Sequence, residues 1–244
     1  MFEVPKYGVG CLLPLPVIDL SVYELYRLFP QNYLLVMIPI GLAEFSAADV
    51  ERVFAPLEHL LDQLMERGVD IVAQNGVPLP LLIGVAAHDR MVARMEAHTG
   101  KPATTTVGAV CRAARHLGIK RLAIANKWSQ PMNKVLGEFL GREGVSIAGA
   151  ATRELQPAEF QKIKADDHAE LAYQLGKSAL IDNPECDGLY IGGGSWLVAH
   201  VCYRLEKEFG KPVISNQPAI VWDVMHRLDD WRPIPDCGRL LGSA

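Results

Sequence analysis

The chain has 244 residues, half of them hydrophobic and 21% charged, with a formal net charge of −4. That composition is ordinary for a globular protein, and the acidic balance, without any basic run, excludes a nucleic-acid surface and an anionic membrane surface. The apolar stretch at 8–20 is broken by Pro14 and Pro16 and has no basic flank, so it reads as core strand and loop, not as a signal peptide; no apolar run is long enough to span a bilayer, and a cytoplasmic protein is expected.

Apolar runs alternate with helix-period segments along the chain. "YGVGCLL" (7–13) and "NYLLVMIPI" (32–40) read as strands. A helix is predicted over 47–68, with Val50, Val53, Leu57, Leu60, Leu61 and Leu64 on one face, Ser46 as N-cap and Gly68 as stop. A strand at 69–76, a helix at 88–100, a short strand at 101–107 and a helix at 108–118 follow. The pattern repeats with a strand at 119–126, a helix at 131–144 opened by Pro131, a strand at 145–150 and a long helix at 166–182. It closes with a strand at 186–193, a helix at 196–210, a strand at 211–217 and a helix at 219–230. Strands alternating with helices imply an α/β fold of parallel sheets covered by helices.

Two segments rhyme. Asp70 and Asp187 each open a strand, Gly76 and Gly193 each follow six residues later, and Gly100-Lys101-Pro102 and Gly210-Lys211-Pro212 each end the next helix. The match predicts two pseudo-symmetric lobes, the first from 1–115 and 216–244 and the second from 116–215. Ligands of parallel α/β sheets bind outside the carboxyl ends of the strands. The cleft is therefore expected between Asn75, Gly76 and Val77 on one wall and Gly193, Gly194 and Ser195 on the other. Helix N-termini at both walls suit an anion, specifically a small carboxylate.

"GCLLP", "TGKPATTT", "LGIKRLAIANKW", "DGLYIGGG", "FGKPVISNQPAIVWD" and the terminal "GRLL" span nearly the full length. In these pieces the chain resembles the aspartate/glutamate racemase superfamily, and within it the arylmalonate decarboxylase and maleate cis-trans isomerase families. The resemblance implies two parallel-sheet lobes and chemistry by thiols at the two equivalent strand tips, with arylmalonate decarboxylase keeping only the second cysteine. By the register of the motifs those positions fall on Gly76 and Gly193, so both are without a thiol here. Two hydroxyl residues that hold a carboxylate in the decarboxylase match Val77 and Pro78, and a tyrosine of that family matches Trp128.

The remaining cysteines, Cys11, Cys111, Cys186, Cys202 and Cys237, occupy no strand tip and read as reduced thiols. Lys127, directly after a strand and beside Trp128, reads either as a solvated loop lysine or as a desolvated base or anion holder. Ser195 reads as a helix N-cap or as a nucleophile. Lys127 and Ser195 are the candidate catalytic residues; Pro14, Asn75, Gly76, Val77, Trp128, Gly193, Gly194, Trp196 and Asn216 are the candidate substrate-binding residues. With no dinucleotide fingerprint, Walker loop or metal-ligand spacing, neither metal nor organic cofactor is expected. Three functions stay open. One is a cysteine-independent decarboxylase, lyase or isomerase that passes through an enediolate-like species. The second is a hydrolase or hydratase using Ser195 or a bound water, and the third a non-catalytic carboxylate binder. The partner is a small-molecule carboxylate; the apolar helix at 219–230 leaves a homo-oligomer open.

Overall fold

A computed structural model of the chain describes residues 4–18, 20–160, 162–193 and 196–242. Two four-stranded parallel sheets organise it. The first holds β1 (Tyr7–Leu13), β2 (Tyr33–Pro39), β3 (Ile71–Gln74) and β4 (Ala103–Thr105), in the order β2-β1-β3-β4. The second holds β5 (Arg121–Asn126), β6 (Ser146–Thr152), β7 (Gly188–Gly192) and β8 (Val213–Ser215), in the order β6-β5-β7-β8. The two orders are the same once the numbering is shifted by four strands. β3 and β7 are buried at every residue, as inner strands of a parallel sheet covered on both faces must be.

The helices are α1 (Leu20–Leu28), α2 (Ala47–Phe54), α3 (Leu57–Glu66), α4 (Pro78–Ile83), α5 (Val85–Thr99) and α6 (Thr106–His116), then α7 (Gln130–Arg142), α8 (Pro157–Phe160), α9 (Ala165–Asp182), α10 (Ala199–Phe209), α11 (Asn216–Arg227) and α12 (Gly238–Gly242). The helix expected at 47–68 is two helices. Pro56 divides them, because its ring has no N–H to give and clashes with the carbonyl four residues back. Ser46 caps α2 by accepting from Asp49 N at 3.2 Å. α1 and α4 were not foreseen, although Val22, Leu25 and Leu28 of α1 are buried at helical spacing.

The rhyming segments perform the same tasks in both sheets. Asp70 receives Gly8 N on its carboxylate at 2.9 Å and donates its own N–H to Gly8 O at 2.7 Å. Asp187 does the same with Arg121, at 2.8 Å in each direction. Gly100 and Gly210 end α5 and α10 in the left-handed region, φ +64° and +68°, where glycine carries no side-chain penalty. Glu96 and Glu206 then accept the N–H that opens the next strand, Ala103 N at 3.1 Å and Val213 N at 2.8 Å. This hardware ties strand starts together and leaves the opposite, carboxyl ends free for a site.

α6 and α11 follow the last strand of each sheet and pack against each other. One apolar core runs through them from Val9 and Ile71 of the first sheet to Leu122 and Ile214 of the second. α11 is buried from Asn216 to Met225, so its apolar surface is spent within the chain. Among the described residues no helix is long and apolar enough to cross a membrane.

Candidate active site

A cavity of about 40 Å³ lies at the carboxyl ends of the first sheet's strands and the N-termini of α6 and α11. That is room for about three water-sized centres. Its polar lining includes Asn75, Thr106, Asn216 and Gln217; Leu13, Pro14, Leu15, Val17, Leu42, Phe45, Pro78, Phe160 and Ile220 supply an apolar lining. Among the described residues no lining side chain is ionised.

The first tip is built around Gly76. Its φ of +88° favours glycine, and a Cβ there would stand 2.6 Å from Pro14 Cγ. Pro14 therefore fills the space a side chain at 76 would need. The Gly76 N–H is committed to Thr106 Oγ1 at 3.0 Å, so it is not an anion donor, contrary to the expectation for this wall. A hydroxyl that accepts one bond still has its own proton to give, and Thr106 becomes the donor in its place. Thr106 is the first residue of α6. The helix is capped by Thr105, which accepts Gly108 N at 3.2 Å and meets His88 Nε2 at 2.8 Å. Burial keeps the His88 ring below its ordinary pKa, and Asp89 opposes that shift.

Asn216 opens α11. Its Oδ1 accepts the Tyr190 hydroxyl at 2.6 Å, while its buried Nδ2 has no partner among the described residues. A fully buried phenol must donate, which assigns the oxygen of the amide to Tyr190 and leaves the N–H₂ for the cavity. The Ser215 cap position offers α11 no side-chain hydrogen bond, so the positive end of that helix is also uncommitted. Tyr190 reads from the sequence as plain core; its hydroxyl task carries no local signal.

The second tip explains its glycines by what presses on them. A Cβ at Gly192 would meet the Trp128 ring at 2.6 Å, and one at Gly193 would meet Lys127 Cε and Trp196 Nε1, both at 3.2 Å. Lys127 is not a solvated loop lysine: it is 2% exposed. Asn126 turns the chain there, accepting Trp128 N at 3.0 Å and donating to Asn133 Oδ1 at 2.7 Å. The Lys127 ammonium lies 4.3 Å from the Phe160 ring centroid and 4.5 Å from that of Trp196. Phe160 also lines the cavity, so its ring bridges the cavity and the cation.

The cavity thus gathers Pro14, Asn75, Gly76 and Asn216 of the sequence candidates. Val77 does not line it; the residue faces the main core, fully buried. Trp128 does not line it either, being packed on Gly192 and Tyr190. Gly193 and Trp196 sit beside Lys127, behind Phe160. Gly194 and Ser195 lie outside the described residues. α10 begins at Ala199 with Val198 at its cap, three residues later than the expected start at 196. The sequence offers Thr104 to Thr106 as hydroxyl donors, and of these Thr106 lines the cavity; Gln217 and Phe160 carry no sequence signal as site residues. Cys11 and Cys111 are buried, with thiols pushed up to about 12 by burial, and Cys202 is raised further for the same reason. Among the described residues no three His, Cys, Asp or Glu side chains stand together as a metal site would require.

Twofold-related parallel sheets with a cavity at the strand tips define the architecture of the aspartate/glutamate racemase superfamily. Within it, residues 19–241 match the model of the arylmalonate decarboxylase family, and the chain belongs to that family. The arylmalonate decarboxylase of Bordetella bronchiseptica is 29% identical over 220 residues, 89% of this chain and 88% of that protein. The maleate isomerase of Pseudomonas putida is 21% identical over 215 residues, 82% and 79% of the two chains. Among solved structures, a liganded arylmalonate decarboxylase with a glycine-to-cysteine and a cysteine-to-serine substitution superposes with a TM-score of 0.85 at 23% identity, covering 98% of this chain and all of that one. A Nocardia farcinica maleate cis-trans isomerase variant carrying a covalently bound succinylcysteine intermediate gives a TM-score of 0.82 at 19% identity, with 98% and 99% covered. These relatives are enzymes.

Proposed function

We propose that the chain is a cysteine-independent decarboxylase of a substituted malonate, working through an enediolate-like intermediate. The observation that carries this reading is the lysine beside Gly193. By the family resemblance that glycine stands where a relative has its thiol, and the space against it is occupied by the Lys127 side chain.

One carboxylate of the substrate is held by the Thr106 hydroxyl, the Asn216 amide N–H₂ and the open end of α11. Neutral oriented donors suit this task, because they stabilise the charge that grows on that carboxylate without holding a full counter-charge in the ground state. The other carboxylate lies among Leu42, Phe45, Pro78 and Ile220, where loss of hydration favours its departure as carbon dioxide. The C–C bond breaks, its electron pair enters the retained carboxylate as an enediolate, and one proton is delivered to the α-carbon. Lys127 delivers it from the Gly193 side once Phe160 turns aside, and regains it from water. The sum is a malonate dianion plus one proton giving a monocarboxylate and carbon dioxide.

The test is proton NMR of the protein in heavy water with aryl- and alkylmalonates, maleate, α-amino acids and lactones. Carbon dioxide loss from a malonate with one deuteron entering at the α-carbon is the expected result. Turnover of maleate alone would move the reading to isomerisation, and ring opening alone to hydrolysis.

A further inference from the structure

α10 starts without a side-chain cap of its own: Val198 stands at the cap position, and its side chain has no atom to accept a hydrogen bond. The first N–H groups of the helix are taken instead by Glu24 of α1. Its Oε1 accepts both Val198 N and Ala199 N, each at 2.7 Å. Glu24 is 4% exposed, and its Oε2 is buried without a partner among the described residues. Leaving a carboxylate oxygen in that state is costly, so the contact does something a surface cap would not.

One end of this contact adjoins the cavity and the other adjoins Lys127. One turn before Glu24, Ser21 lines the cavity, as do Pro14, Leu15 and Val17 ahead of it. Just before Val198 come Trp196 and Gly193, which hold Lys127. We infer that Glu24 is a positioning residue, a clasp from α1 that fixes the start of α10 and the Trp196 ring ahead of it, and through that ring sets Lys127 against the cavity. Its consequence for turnover rests on the proposed reaction; its consequence for the helix start does not.

Both bonds fall on one oxygen, so a neutral carboxyl or an amide can make them as well as a carboxylate. The groups around Glu24 do not dictate its charge. Its proton affinity is raised by burial and lowered by the two N–H bonds alone. Cys202 of α10 and Cys237 sense its charge and are themselves pushed up, hence neutral. None of Asp223, His226 and Arg227 on α11, which packs against α1, is among the groups that shift it.

The experiment compares wild type with Glu24→Gln, Glu24→Asp and Glu24→Ala, reading hydrogen exchange of the peptide covering 192–203 together with turnover. Gln keeps the reach and an accepting oxygen; Asp keeps the charge but is one methylene too short. Glu24→Gln is expected to exchange within about threefold of wild type, and Asp and Ala about tenfold faster or more, in that peptide above others. In the same two variants kcat is expected to fall more than KM rises, with Gln rescuing both. Wild-type protection in Asp and Ala, or a Gln variant as unprotected as Ala, overturns the clasp. Faster exchange with unchanged kcat overturns its positioning role. If wild type turns over no malonate, the proposed reaction fails while the exchange still decides the clasp; should Ala not fold, Asp carries the comparison.

Discussion

Three glycines here are places where a neighbouring side chain takes the room: Pro14 against Gly76, Trp128 against Gly192, Lys127 against Gly193. At Gly76 the demand is doubled, because the backbone is also at φ +88°. Restoring a thiol by Gly76→Cys therefore pushes it into the Pro14 ring from a conformation that L residues avoid, at a cost on the order of 2 kcal/mol. A fall in thermal midpoint of several degrees in calorimetry is expected, with no gain of α-proton exchange; an unshifted midpoint contradicts the close approach. That bare backbone was needed at these tips is readable from the sequence, since glycine serves a strand so poorly. What fills the room was not, because Pro14 and Gly76, or Lys127 and Gly193, are far apart in the chain and share no local pattern.

At the scale of elements, the site is a set of helix starts whose first donors are either satisfied or deliberately left open. α2 is closed by Ser46, α6 by Thr105 and α10 by Glu24, whereas α11 presents Asn216 with its amide held from behind by Tyr190. Tyr190→Phe removes the bond that fixes which end of the amide faces the cavity. KM for the carboxylate substrate is expected to rise about three- to tenfold with a smaller change in kcat, in line with the loss of one hydrogen bond of about 1 kcal/mol. Unchanged KM in steady-state kinetics contradicts the role. Most strands and long helices were legible from period alone, because apolar alternation is local. The break at Pro56 was legible too and was passed over. The true start of α10 was not, since its cap comes from another helix and leaves no mark beside Val198.

Over the whole molecule, buried carboxylates set opposite pH limits: burial raises Glu24 and Glu206, whereas Asp223 is lowered. Burial raises Glu24 to about 7 despite its two N–H bonds. The native state therefore binds a proton that the unfolded chain has released, and stability falls as pH rises from about 5 through 7, by on the order of 3 kcal/mol. Burial also acts on Asp223, but hydrogen bonds and charge from Arg112, with Arg227 and Thr104, hold it below the ordinary carboxylate range. Its contribution is present above the unfolded value and is lost as pH falls through the folded one. Chemical denaturation across pH is thus expected to show a maximum on the acid side of neutrality, with a shallower neutral-side decline in Glu24→Gln, where only Glu206 still contributes. A decline as steep in that variant as in wild type contradicts the assignment to Glu24. The duplicated sheet order was legible in the paired Asp, Gly and Gly-Lys-Pro positions, because each performs a backbone task that only that residue type does well.

The central claim is that a lysine does the work for which a thiol would be expected, and the most direct measurement compares wild type with Lys127→Met. Methionine keeps the length and the contacts with Phe160 and Trp196 and removes the proton and the charge. Carbon dioxide release and α-deuteration of a substituted malonate would be followed in heavy water, with circular dichroism to verify folding. The account predicts at least a hundredfold fall in kcat, about 2.7 kcal/mol of transition-state stabilisation, in a protein that melts like wild type. Full turnover in Lys127→Met would contradict it.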